Sequence, residues 1–530
     1  MIKAVRGTRD LLPPETALWN FVESAVRDVF RAYNFQEIRT PIFESTELFA
    51  RGVGEDTDIV SKEMYTWWDR GHSPGRVLEL AWLLQHAKNY EKIEAEVKLG
   101  RGHADFVAYR HNAPPTIVEV KQKVEPKVLL QLREWQMFWE KEHGERPILA
   151  LAVPEDQQDS ARELAPGNLE IQVVDWPDGY EPPQSLTLRP ENTAGVVRAY
   201  IEHKMWDRGL SKLYYIGPQF RRERPQKGRY RQFYQIGAEV IGPASAGSEK
   251  PLRDAEVLEM LDTLLRRLGI VDFMLYVNSI GDSKDRASYN EALRRALDPV
   301  VGSMCADCQR RAVTNPLRVF DCKVPGDQPI IHALPLISDY LSAESKEHFE
   351  NVRALLRKAK VPFEVNPRLV RGLDYYTRTA FEFTHGALGA QNAILGGGRY
   401  DGLAELLGSP EPAPGIGFAI GEDRLVMALQ GRDSEVLQRV DAYVAPVGEG
   451  MNRNALVLAS DLRRKGLVIE LGDRSLRLKK MFEAATKAGA KYILIVGENE
   501  VKADAFALKN LTTGEQVSVP RADLPRRIQE

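Results

Sequence analysis

The sequence predicts an α+β protein with a main body built on an antiparallel hairpin, an inserted domain, and a small α/β domain at the end of the chain. Residues 214–221 and 232–240 alternate as strands do and flank a basic loop, which indicates the hairpin. From about residue 440 onward, strand and helix patterns alternate, which is typical of a small α/β domain. Residues 68–183 differ in composition from both regions and hold or adjoin six of the eight tryptophans, which indicates an insertion.

The bulk properties set the limits within which a function can be sought. A chain of 530 residues with 43% hydrophobic residues is long enough for about three or four domains. Its 72 basic and 75 acidic residues leave a net charge of -3, so any contact with nucleic acid must come from local patches. Three cysteines are too few for a disulfide framework, no apolar run approaches the roughly 18 residues of a membrane span, and no signal peptide is seen. We therefore expect a soluble, cytoplasmic protein without a membrane partner.

The main body begins with an amphipathic helix at about residues 14–33 and the segment FQEIRTPIFE, a strand broken by Pro41. It resumes with the strand SLTLRP, a helix from about Thr193, the hairpin and a helix at residues 248–268. Charged, mostly helical sequence fills residues 283–360, and strand and glycine signals return from about residue 363. The region therefore contains antiparallel strands interrupted by helical segments.

The hairpin offers a ligand surface, because side chains two apart share a strand face. Gly217, Gln219 and Arg221 lie on one face of the first strand, while Gln235 and Glu239 share a face of the second. A polar strand face beside a basic loop suits a polar ligand that carries a phosphate. An ordinary solvated hairpin is the alternative.

Seven segments in order resemble bacterial histidyl-tRNA synthetases, a family of class II aminoacyl-tRNA synthetases. They are VRGTRDLLP, PIFE, TLRPENTAGVVRA, the hairpin, RLVRGLDYYTRTAFEF, LGGGRYDGL and GFAIGEDRL. The resemblance covers nearly everything except residues 68–183. It implies a catalytic antiparallel sheet in three parts (1–67, 184–282 and 362–430), a helical insertion domain (283–361) that leans on the tRNA acceptor arm, and an anticodon-binding domain (440–530).

The resemblance also implies an activity: ATP-dependent activation of L-histidine to histidyl-adenylate and transfer to tRNA(His), with Mg²⁺, by a homodimer whose PIFE segment lies at the dimer interface. Such activation needs cations on the phosphates as charge develops between the carboxylate and the leaving pyrophosphate. The family uses positions that match Arg221 for the α-phosphate and the substrate carboxylate, Glu223 near the adenine and Arg424 as a second ATP arginine. For Arg424 alone, a helix surface charge is the alternative.

Histidine recognition requires a pocket that pairs both imidazole nitrogens and the ammonium group. Matching family positions place Glu191 and Thr193 near the ammonium and Arg371 near the carboxylate, where Arg371 acts as a cationic catalyst. The remaining histidine-binding positions are Gln235, Glu239, Tyr375 and Tyr376. For the tyrosines, packing in an apolar strand is the alternative.

Two of these segments concern backbone geometry, and one of them contains a departure from the family pattern. LGGGRYDGL is a weak signal alone, but a glycine run lets the backbone approach a flat ligand closely. Asn192 stands where the family more often has glycine, and because Asn tolerates left-handed geometry we expect the turn to survive.

Basic residues in two regions are candidates for tRNA contacts through phosphates. The hairpin loop supplies Arg224, Lys227, Arg229 and Arg231 for the acceptor end. The C-terminal domain supplies Arg463, Arg464, Lys465, Arg474, Arg477, Lys479 and Lys480. Solvated helix faces are the alternative for each of the C-terminal residues.

Cys305 and Cys308 form a CxxC pair, with Cys322 further along. A zinc site needs a fourth ligand, for which His332 is a distant candidate. We expect a structural, metal-free role for the three cysteines.

The insert, residues 68–183, has the order helix, strands, helix, strands, which resembles the restriction-endonuclease-like PD-(D/E)xK fold. Asp105 lies on one strand, and Glu119 and Lys121 share a face of the next, so they can converge on one metal and water site with Asp105 and Glu119 as tentative ligands. Glu79 and Gln131 stand where such nucleases often carry helper residues. The leading proline of that motif is absent. The insert is a candidate for a metal-dependent nuclease acting on DNA or RNA, and the alternative is a relic that only packs or binds nucleic acid.

Two rival functions follow from the same motifs. A synthetase-like regulatory partner of ATP phosphoribosyltransferase would lack the anticodon module and the motif arginines, both of which are present. A nuclease carried on an inactive synthetase conflicts with the complete set of pocket residues.

Overall fold

The computed structural model describes residues 2–54, 57–69, 74–100, 102–164, 169–176, 184–225, 228–386, 392–429 and 440–529. The chain forms two compact units, one of residues Met1–Asp10 and Ala25–Ala428, the other of Leu11–Ser24 and Leu429–Glu530. Within the described ranges, none of the helices combines the length and the apolar character that a membrane span requires.

The larger unit is organised on one eight-stranded sheet that contains the predicted hairpin. The hairpin strands pair antiparallel along their whole length, with Gly217 opposite Gln235 and Leu213 opposite Glu239. Six central strands are antiparallel, and a two-residue parallel strand lies at each edge. In spatial order the strands are Gln36–Glu37, Ser211–Phe220, Gln232–Ile241, Gly415–Gly421, Ala393–Arg399, Thr377–His385, Phe273–Ser279 and Glu364–Val365.

Helices surround this sheet or belong to the mostly helical stretch after residue 282. The predicted helix at residues 14–33 is confirmed as Glu15–Ala32. The others are Thr46–Val53, Thr193–Glu202, Pro251–Arg267, Ser283–Leu297, Ala306–Thr314, Gln328–Ala333, Ala343–Lys358, Leu403–Leu406 and Glu422–Ala428. One buried cluster joins side chains of the helical stretch, including Tyr289 and Cys308, to Tyr375 and Tyr376, so this stretch shares its core with the sheet region.

A small antiparallel sheet marks the point where the insertion leaves the main body. Pro41 divides FQEIRTPIFE as predicted, because Gln36–Glu37 joins the large sheet while Phe43–Ser45 joins this one. Its central strand, Ser185–Leu188, pairs with Phe43–Ser45 on one side and Tyr65–Trp68 on the other. Trp68 is paired with Ser185, so the insertion begins and ends on adjacent strands.

The insert has a five-stranded mixed sheet of its own. Its strands follow one another in sequence order: Lys92–Leu99, Gly102–Tyr109, Thr116–Val120, Ile148–Val153 and Leu169–Val173. The run EAEVKLGRGHADFVAY, residues 94–109, favours a single strand by its pattern, but that prediction is wrong. The chain turns at Gly100, whose φ of +59° strains any residue with a Cβ, and forms two antiparallel strands.

Helices pack on both faces of that sheet. Pro126–His143 contributes Leu132, Trp135 and Trp139 to a cluster with Val107 and Ile117. Pro74–His86 contributes Leu78 and Trp82 to a second cluster with Phe106, Val118 and Val120 on the opposite face. A shorter helix, Gln158–Leu164, follows the fourth strand. The insert therefore has three layers, helix, sheet and helix, around two cores of its own.

The C-terminal α/β pattern is confirmed by a second five-stranded sheet. Its strands lie in the order Ile469–Leu471, Ala442–Pro446, Tyr492–Val496, Ala505–Asn510 and Gln516–Pro520. The first three are parallel and the last two antiparallel. The helices of this region are Met451–Arg464, Leu478–Lys487, Glu498–Ala503 and Leu524–Gln529. The polar segment at residues 431–440, for which the sequence predicts a linker, lies almost entirely outside the described residues.

Candidate active site

A cavity of about 570 Å³ lies against the hairpin and the neighbouring strands of the large sheet. Most of the residues predicted for the synthetase site line it together. They are Glu191, Thr193, Arg221, Glu223, Arg229, Gln235, Arg371, Tyr375, Tyr376 and Arg424. Segments that are far apart in the sequence therefore build one polar cavity that is lined by both arginines and carboxylates.

Arg221 is anchored at the end of the first hairpin strand. Its Nε donates a hydrogen bond to the Pro190 carbonyl at 2.9 Å, and its guanidinium carbon lies 5.2 Å from the centre of the Phe233 ring. The side chain is therefore fixed at its base and on one face, which preorganises a cation at the cavity wall.

Arg424 lies on the short helix Glu422–Ala428, and it lines the cavity instead of facing bulk solvent. The alternative of a helix surface charge is therefore wrong. Its Nη1 donates to the Ala393 carbonyl at 2.5 Å. Burial, followed by the charge of Arg229, lowers its pKa, but an arginine remains charged under such conditions.

Arg371 also lines the cavity and meets a carboxylate there. Its Nη1 donates to Glu382 Oε2 at 3.0 Å, and its guanidinium carbon lies 5.9 Å from the centre of the Tyr376 ring. A Cβ placed on Gly396 would lie 2.5 Å from Nη1 of Arg371. The glycine run thus gives room to this arginine, which is a more specific reason than close approach to a flat ligand.

The other two glycines of the run have reasons within the sheet. A Cβ on Gly397 would lie 2.1 Å from the Gly417 carbonyl oxygen, and one on Gly398 would lie 2.6 Å from that of Thr379. Each glycine is therefore required where the strand Ala393–Arg399 lies close to its neighbours.

Glu191 caps the helix that begins at Thr193. Its two carboxylate oxygens accept hydrogen bonds from the backbone N–H groups of Thr193, at 2.8 Å, and Ala194, at 3.0 Å. Burial raises its pKa, while these two hydrogen bonds act in the opposite direction. The helix start therefore orients a buried carboxylate at the cavity wall, where it can meet a cationic group of a substrate.

Glu239 does not line the cavity, and its predicted direct contact with histidine is not supported by its position. It is fully buried beneath the wall, where Thr193 Oγ1 donates to it at 2.8 Å and the Tyr400 hydroxyl at 2.7 Å. Burial raises its pKa to about 8, although both hydrogen bonds lower it. Strand alternation correctly put Gln235 and Glu239 on one face, but it could not show that Tyr400 and Thr193 cover Glu239.

Tyr375 and Tyr376 lie side by side in the wall, with ring centres 4.6 Å apart. Both also belong to the core shared with the helical stretch, so packing and cavity lining are combined in the same residues. Burial raises the pKa of both hydroxyls, which keeps them protonated as hydrogen-bond donors.

The basic residues of the hairpin loop occupy different surroundings. Arg224 is exposed, and Arg229 turns into the cavity, where its Nη1 lies 3.1 Å from Glu223. Arg231 is hydrogen-bonded to residues near the start of the chain. Its backbone N–H donates to the carbonyl of Gly7, and its Nη1 donates to the carbonyl of Arg6. Lys227 lies outside the described residues.

Sequence reasoning missed several charged residues that also line the cavity: Asp58, Glu63, Arg311, Arg318, Glu382 and Asp423. Glu382 was detectable, because it is the one acidic residue in the strand-like run TRTAFEF. Arg311 and Arg318 come from the helical stretch, and nothing in their local pattern indicates a place in the cavity.

Asn192 keeps its turn for a reason other than the one expected. Its φ is −124°, outside the left-handed region, so tolerance of that geometry is not used. It is buried, and its Oδ1 accepts a hydrogen bond from Thr40 Oγ1 at 2.5 Å. The side chain ties the turn to the segment near Pro41.

In the insert, three of the predicted residues lie together at one end of its sheet. Lys121 Nζ is 2.5 Å from Glu119 Oε1 and 3.9 Å from Asp105 Oδ2. Burial, followed by the charge of Asp105, raises the pKa of Glu119 to about 7. Burial raises the pKa of Glu79, with Asp105 acting in the same direction, so Glu79 is an electrostatic neighbour of the group. Gln131 lies on the helix Pro126–His143, and no hydrogen bond described in the structure joins it to these residues.

An antiparallel sheet that holds a cavity of arginines, carboxylates and aromatic residues, followed by an α/β domain, defines a class II aminoacyl-tRNA synthetase. Residues 158–425 match the family described as histidyl-tRNA synthetase, and residues 441–530 match an anticodon binding domain. The histidine–tRNA ligase of Koribacter versatilis is 55% identical over 525 residues, which cover 99% of this chain and 95% of that one. The histidine–tRNA ligase of Bacillus velezensis is 38% identical over 520 residues, which cover 97% and 95%. The chain belongs to the histidyl-tRNA synthetase family and is a histidine–tRNA ligase that uses ATP.

Solved structures agree with this assignment. The crystal structure of apo Staphylococcus aureus histidyl-tRNA synthetase aligns with a TM-score of 0.64 and 31% identity, over 100% of both chains. The histidyl-tRNA synthetase of Nostoc sp. PCC 7120 aligns with a TM-score of 0.58 and 18% identity, which shows the shared fold.

Proposed function

We propose that the cavity joins L-histidine to ATP and that Arg221, Arg371 and Arg424 supply the positive charge for this step. One observation carries the proposal: the three guanidinium groups line the same cavity as Glu191, Thr193 and Gln235. A carboxylate oxygen of histidine attacks the α-phosphorus, the bond to the bridging oxygen breaks, and pyrophosphate leaves. Negative charge on the phosphate oxygens is what such cations stabilise.

Each arginine has a distinct part in this step. Arg371 holds the histidine carboxylate against the α-phosphate, in the role that a metal ion fills elsewhere. Arg221 binds the α-phosphate through two N–H donors of its planar guanidinium, and Arg424 neutralises the charge of the leaving pyrophosphate. Glu223 lies near the adenine.

The histidine pocket recognises the ammonium group and the imidazole ring of the substrate. Glu191 and Thr193 accept hydrogen bonds from the ammonium group, Gln235 and Tyr376 pair with the imidazole, and Tyr375 closes the pocket. Glu239 acts from beneath the wall by fixing Thr193, to which it is hydrogen-bonded at 2.8 Å. A site built to pair these polar groups rejects analogues that leave them unpaired.

Mg²⁺ fits this cavity, because its lining includes carboxylate oxygens, the ligands that this ion prefers in proteins. Glu382 is the residue that would hold it. When bound, the ion offsets the negative charge of the ATP phosphates.

The transfer step requires tRNA(His). Arg224, Lys227, Arg229 and Arg231 are proposed to contact the acceptor end, and the basic residues 463–465, 474, 477, 479 and 480 the anticodon arm. Homodimer formation is supported by exposed apolar side chains on the small antiparallel sheet and directly before its first strand. They are Ile42, Phe43, Trp67 and Trp68, which are 46%, 54%, 40% and 36% exposed.

Histidine-dependent exchange of labelled pyrophosphate into ATP tests the activation step. The full-length chain with ATP and Mg²⁺ is expected to exchange label with histidine and not with histidinol, which lacks the carboxylate. Absence of exchange with histidine would contradict the proposal.

A second function is proposed for the insert, a metal-dependent nuclease. Its support is the group of Asp105, Glu119 and Lys121, in which the ammonium lies 2.5 Å from one carboxylate and 3.9 Å from the other. Carboxylates that hold a divalent ion beside a lysine can activate water for attack on a phosphodiester. Asp105 and Glu119 would be the metal ligands and Glu79 a helper.

Labelled DNA and RNA incubated with the full-length chain and Mg²⁺ or Mn²⁺ test this second function. Cleavage is expected to be lost in Lys121→Ala and kept in Lys98→Ala, which changes an exposed lysine of the same sheet. Cleavage that survives Lys121→Ala would point to contamination. Binding without cleavage would identify the insert as a nucleic-acid-binding relic.

A further inference from the structure

The three cysteines of the chain converge in the helical stretch, with a buried carboxylate as their fourth neighbour. The Sγ atoms of Cys305, Cys308 and Cys322 and a carboxylate oxygen of Asp327 all lie within 4.8 Å of one another. Cys308 is fully buried, Cys322 is 6% exposed and Asp327 is 4% exposed. His332, the candidate suggested by the sequence, is not a member of this group, and Asp327 takes its place.

Local structure explains why these residues meet. Cys305 precedes the helix Ala306–Thr314, and Cys308 lies in its first turn. Cys322 follows the 3₁₀ helix Pro316–Asp321, and Asp327 ends the next one, Pro325–Asp327. The chain thus returns to the start of the helix, where backbone N–H groups and the helix dipole favour thiolates and carboxylates.

The separation of two of the sulfur atoms matches that of a tetrahedral metal site. With Zn–S bonds of about 2.3 Å, two sulfur ligands are separated by about 3.8 Å along a tetrahedron edge. Cys305 Sγ and Cys322 Sγ are 3.9 Å apart, and Cys322 Sγ is 3.2 Å from Asp327 Oδ2. A disulfide would instead require a separation of about 2.05 Å, and all three cysteines are free.

Backbone groups are also directed at the ligand atoms. The N–H of Val324 points to Cys322 Sγ at 3.4 Å, and the N–H of Cys305 donates to both Asp327 oxygens at 3.2 Å. Hydrogen bonds of this kind orient metal ligands and stabilise their negative charge.

We propose that Cys305, Cys308, Cys322 and Asp327 bind one Zn²⁺ ion in a closed, structural site. Three soft thiolates with one oxygen ligand suit Zn²⁺, whereas iron–sulfur clusters are usually held by four cysteines. The metal-free role expected from the sequence is replaced by this proposal, because the fourth ligand is present in Asp327.

The site has a consequence for the synthetase cavity. The segment between Cys308 and Cys322 carries Arg311 and Arg318, which line the cavity. Arg311 lies 3.3 Å from Asp58 and donates to the Arg318 carbonyl at 3.3 Å. Zinc therefore holds the segment that carries Arg311 and Arg318, and so positions these two arginines at the cavity.

Metal analysis of the full-length chain, purified and then incubated with zinc under reducing conditions, tests the proposal. One zinc per chain is expected for the wild type and for Asp307→Asn, which changes an exposed residue between Cys305 and Cys308. Asp327→Asn is expected to weaken zinc binding at least 10-fold, and Cys308→Ser to abolish it. The wild-type chain substituted with Co²⁺ should show the absorption of a tetrahedral thiolate site.

These readouts do not depend on catalysis, and wild-type protein alone can decide the matter if Cys308→Ser fails to fold. A wild-type chain that keeps three reactive thiols in excess zinc would overturn the proposal, as would a mass two hydrogens lower than that of the reduced chain, which marks a disulfide. Zinc retained by a folded Cys308→Ser variant would also overturn it.

Discussion

Arg371 and Glu382 form an ion pair inside the cavity, with Nη1 of the arginine 3.0 Å from Oε2 of the glutamate. The two residues come from different segments, a loop before the two tyrosines and the strand Thr377–His385. Glu382 therefore restrains the guanidinium within the cavity.

Replacement of Arg371 tests its place in the chemistry. Arg371→Ala is expected to reduce histidine-dependent pyrophosphate exchange by about 10²-fold or more, because it removes charge stabilisation at the reacting atoms. Glu382→Gln should cause a smaller loss, since the cation stays. Arg295→Ala, which removes a mostly exposed arginine, is the matched control. Equal activity of Arg371→Ala and the control would exclude a catalytic role.

Gly396 gives a steric test of the same arginine. Gly396→Ala would put a Cβ 2.5 Å from Nη1 of Arg371, so the arginine must move. The exchange rate is expected to fall by about 10-fold or more, because a displacement of about 1 Å in an active site is costly. Gly402→Ala is the control, since no atom lies within 4 Å of its added Cβ. Similar rates for the two variants would contradict the steric explanation.

Glu239 predicts a dependence of stability on pH. Its pKa is about 8 in the folded chain against an ordinary 4.5, so the folded state keeps a proton that the unfolded state releases. Stability therefore falls as the pH rises from about 4.5 to about 8, by an amount on the order of a few kcal/mol. Glu239→Gln removes this dependence.

The measurement is the melting temperature of each protein at pH 5.5 and pH 8. The melting temperature of Glu239→Gln relative to wild type is expected to rise between these values, while that of Glu405→Gln, an exposed glutamate, should stay parallel to wild type. A constant difference for Glu239→Gln would show that the buried carboxyl does not titrate in this range.

The buried ion pair between Arg399 and Asp254 predicts a large loss of stability. Both side chains are fully buried, and Arg399 also pairs with Asp401 at 2.9 Å. Asp254→Asn leaves a buried guanidinium with one partner fewer and is expected to cost on the order of 3 kcal/mol. Asp262→Asn on the same helix should cost under about 1 kcal/mol, because its partner Arg266 is 46% exposed. Denaturant unfolding compares the two, and equal costs would refute the expectation.

The apolar side chains of the small sheet predict how the chain associates. Phe43 and Trp67 are in contact, with ring centres 6.2 Å apart, and both are exposed in a single chain. Phe43→Asp is expected to shift the protein from dimer to monomer in light scattering, because a charge at the centre of an apolar interface is costly. Leu84→Asp changes an exposed leucine of the insert and should leave the dimer intact. A monomeric wild type would contradict the proposal.

Local patterns and the family resemblance were sufficient to predict the hairpin, the C-terminal α/β domain and ten of the residues that line the cavity. Alternation fixes which side chains of a strand share a face, so Arg221 and Gln235 could be read from local pattern and motif. The break at Pro41 was likewise local, because proline cannot continue a paired strand.

Tertiary structure decided what depends on distant segments. Three features join residues from separate elements. Tyr400 and Thr193 cover Glu239. Arg311 and Arg318 line the cavity, and Asp327 lies beside three cysteines. Periodicity describes only the face on which a residue lies, whereas long-range packing determines which residue lies opposite, and that information is not contained in any local run of the chain.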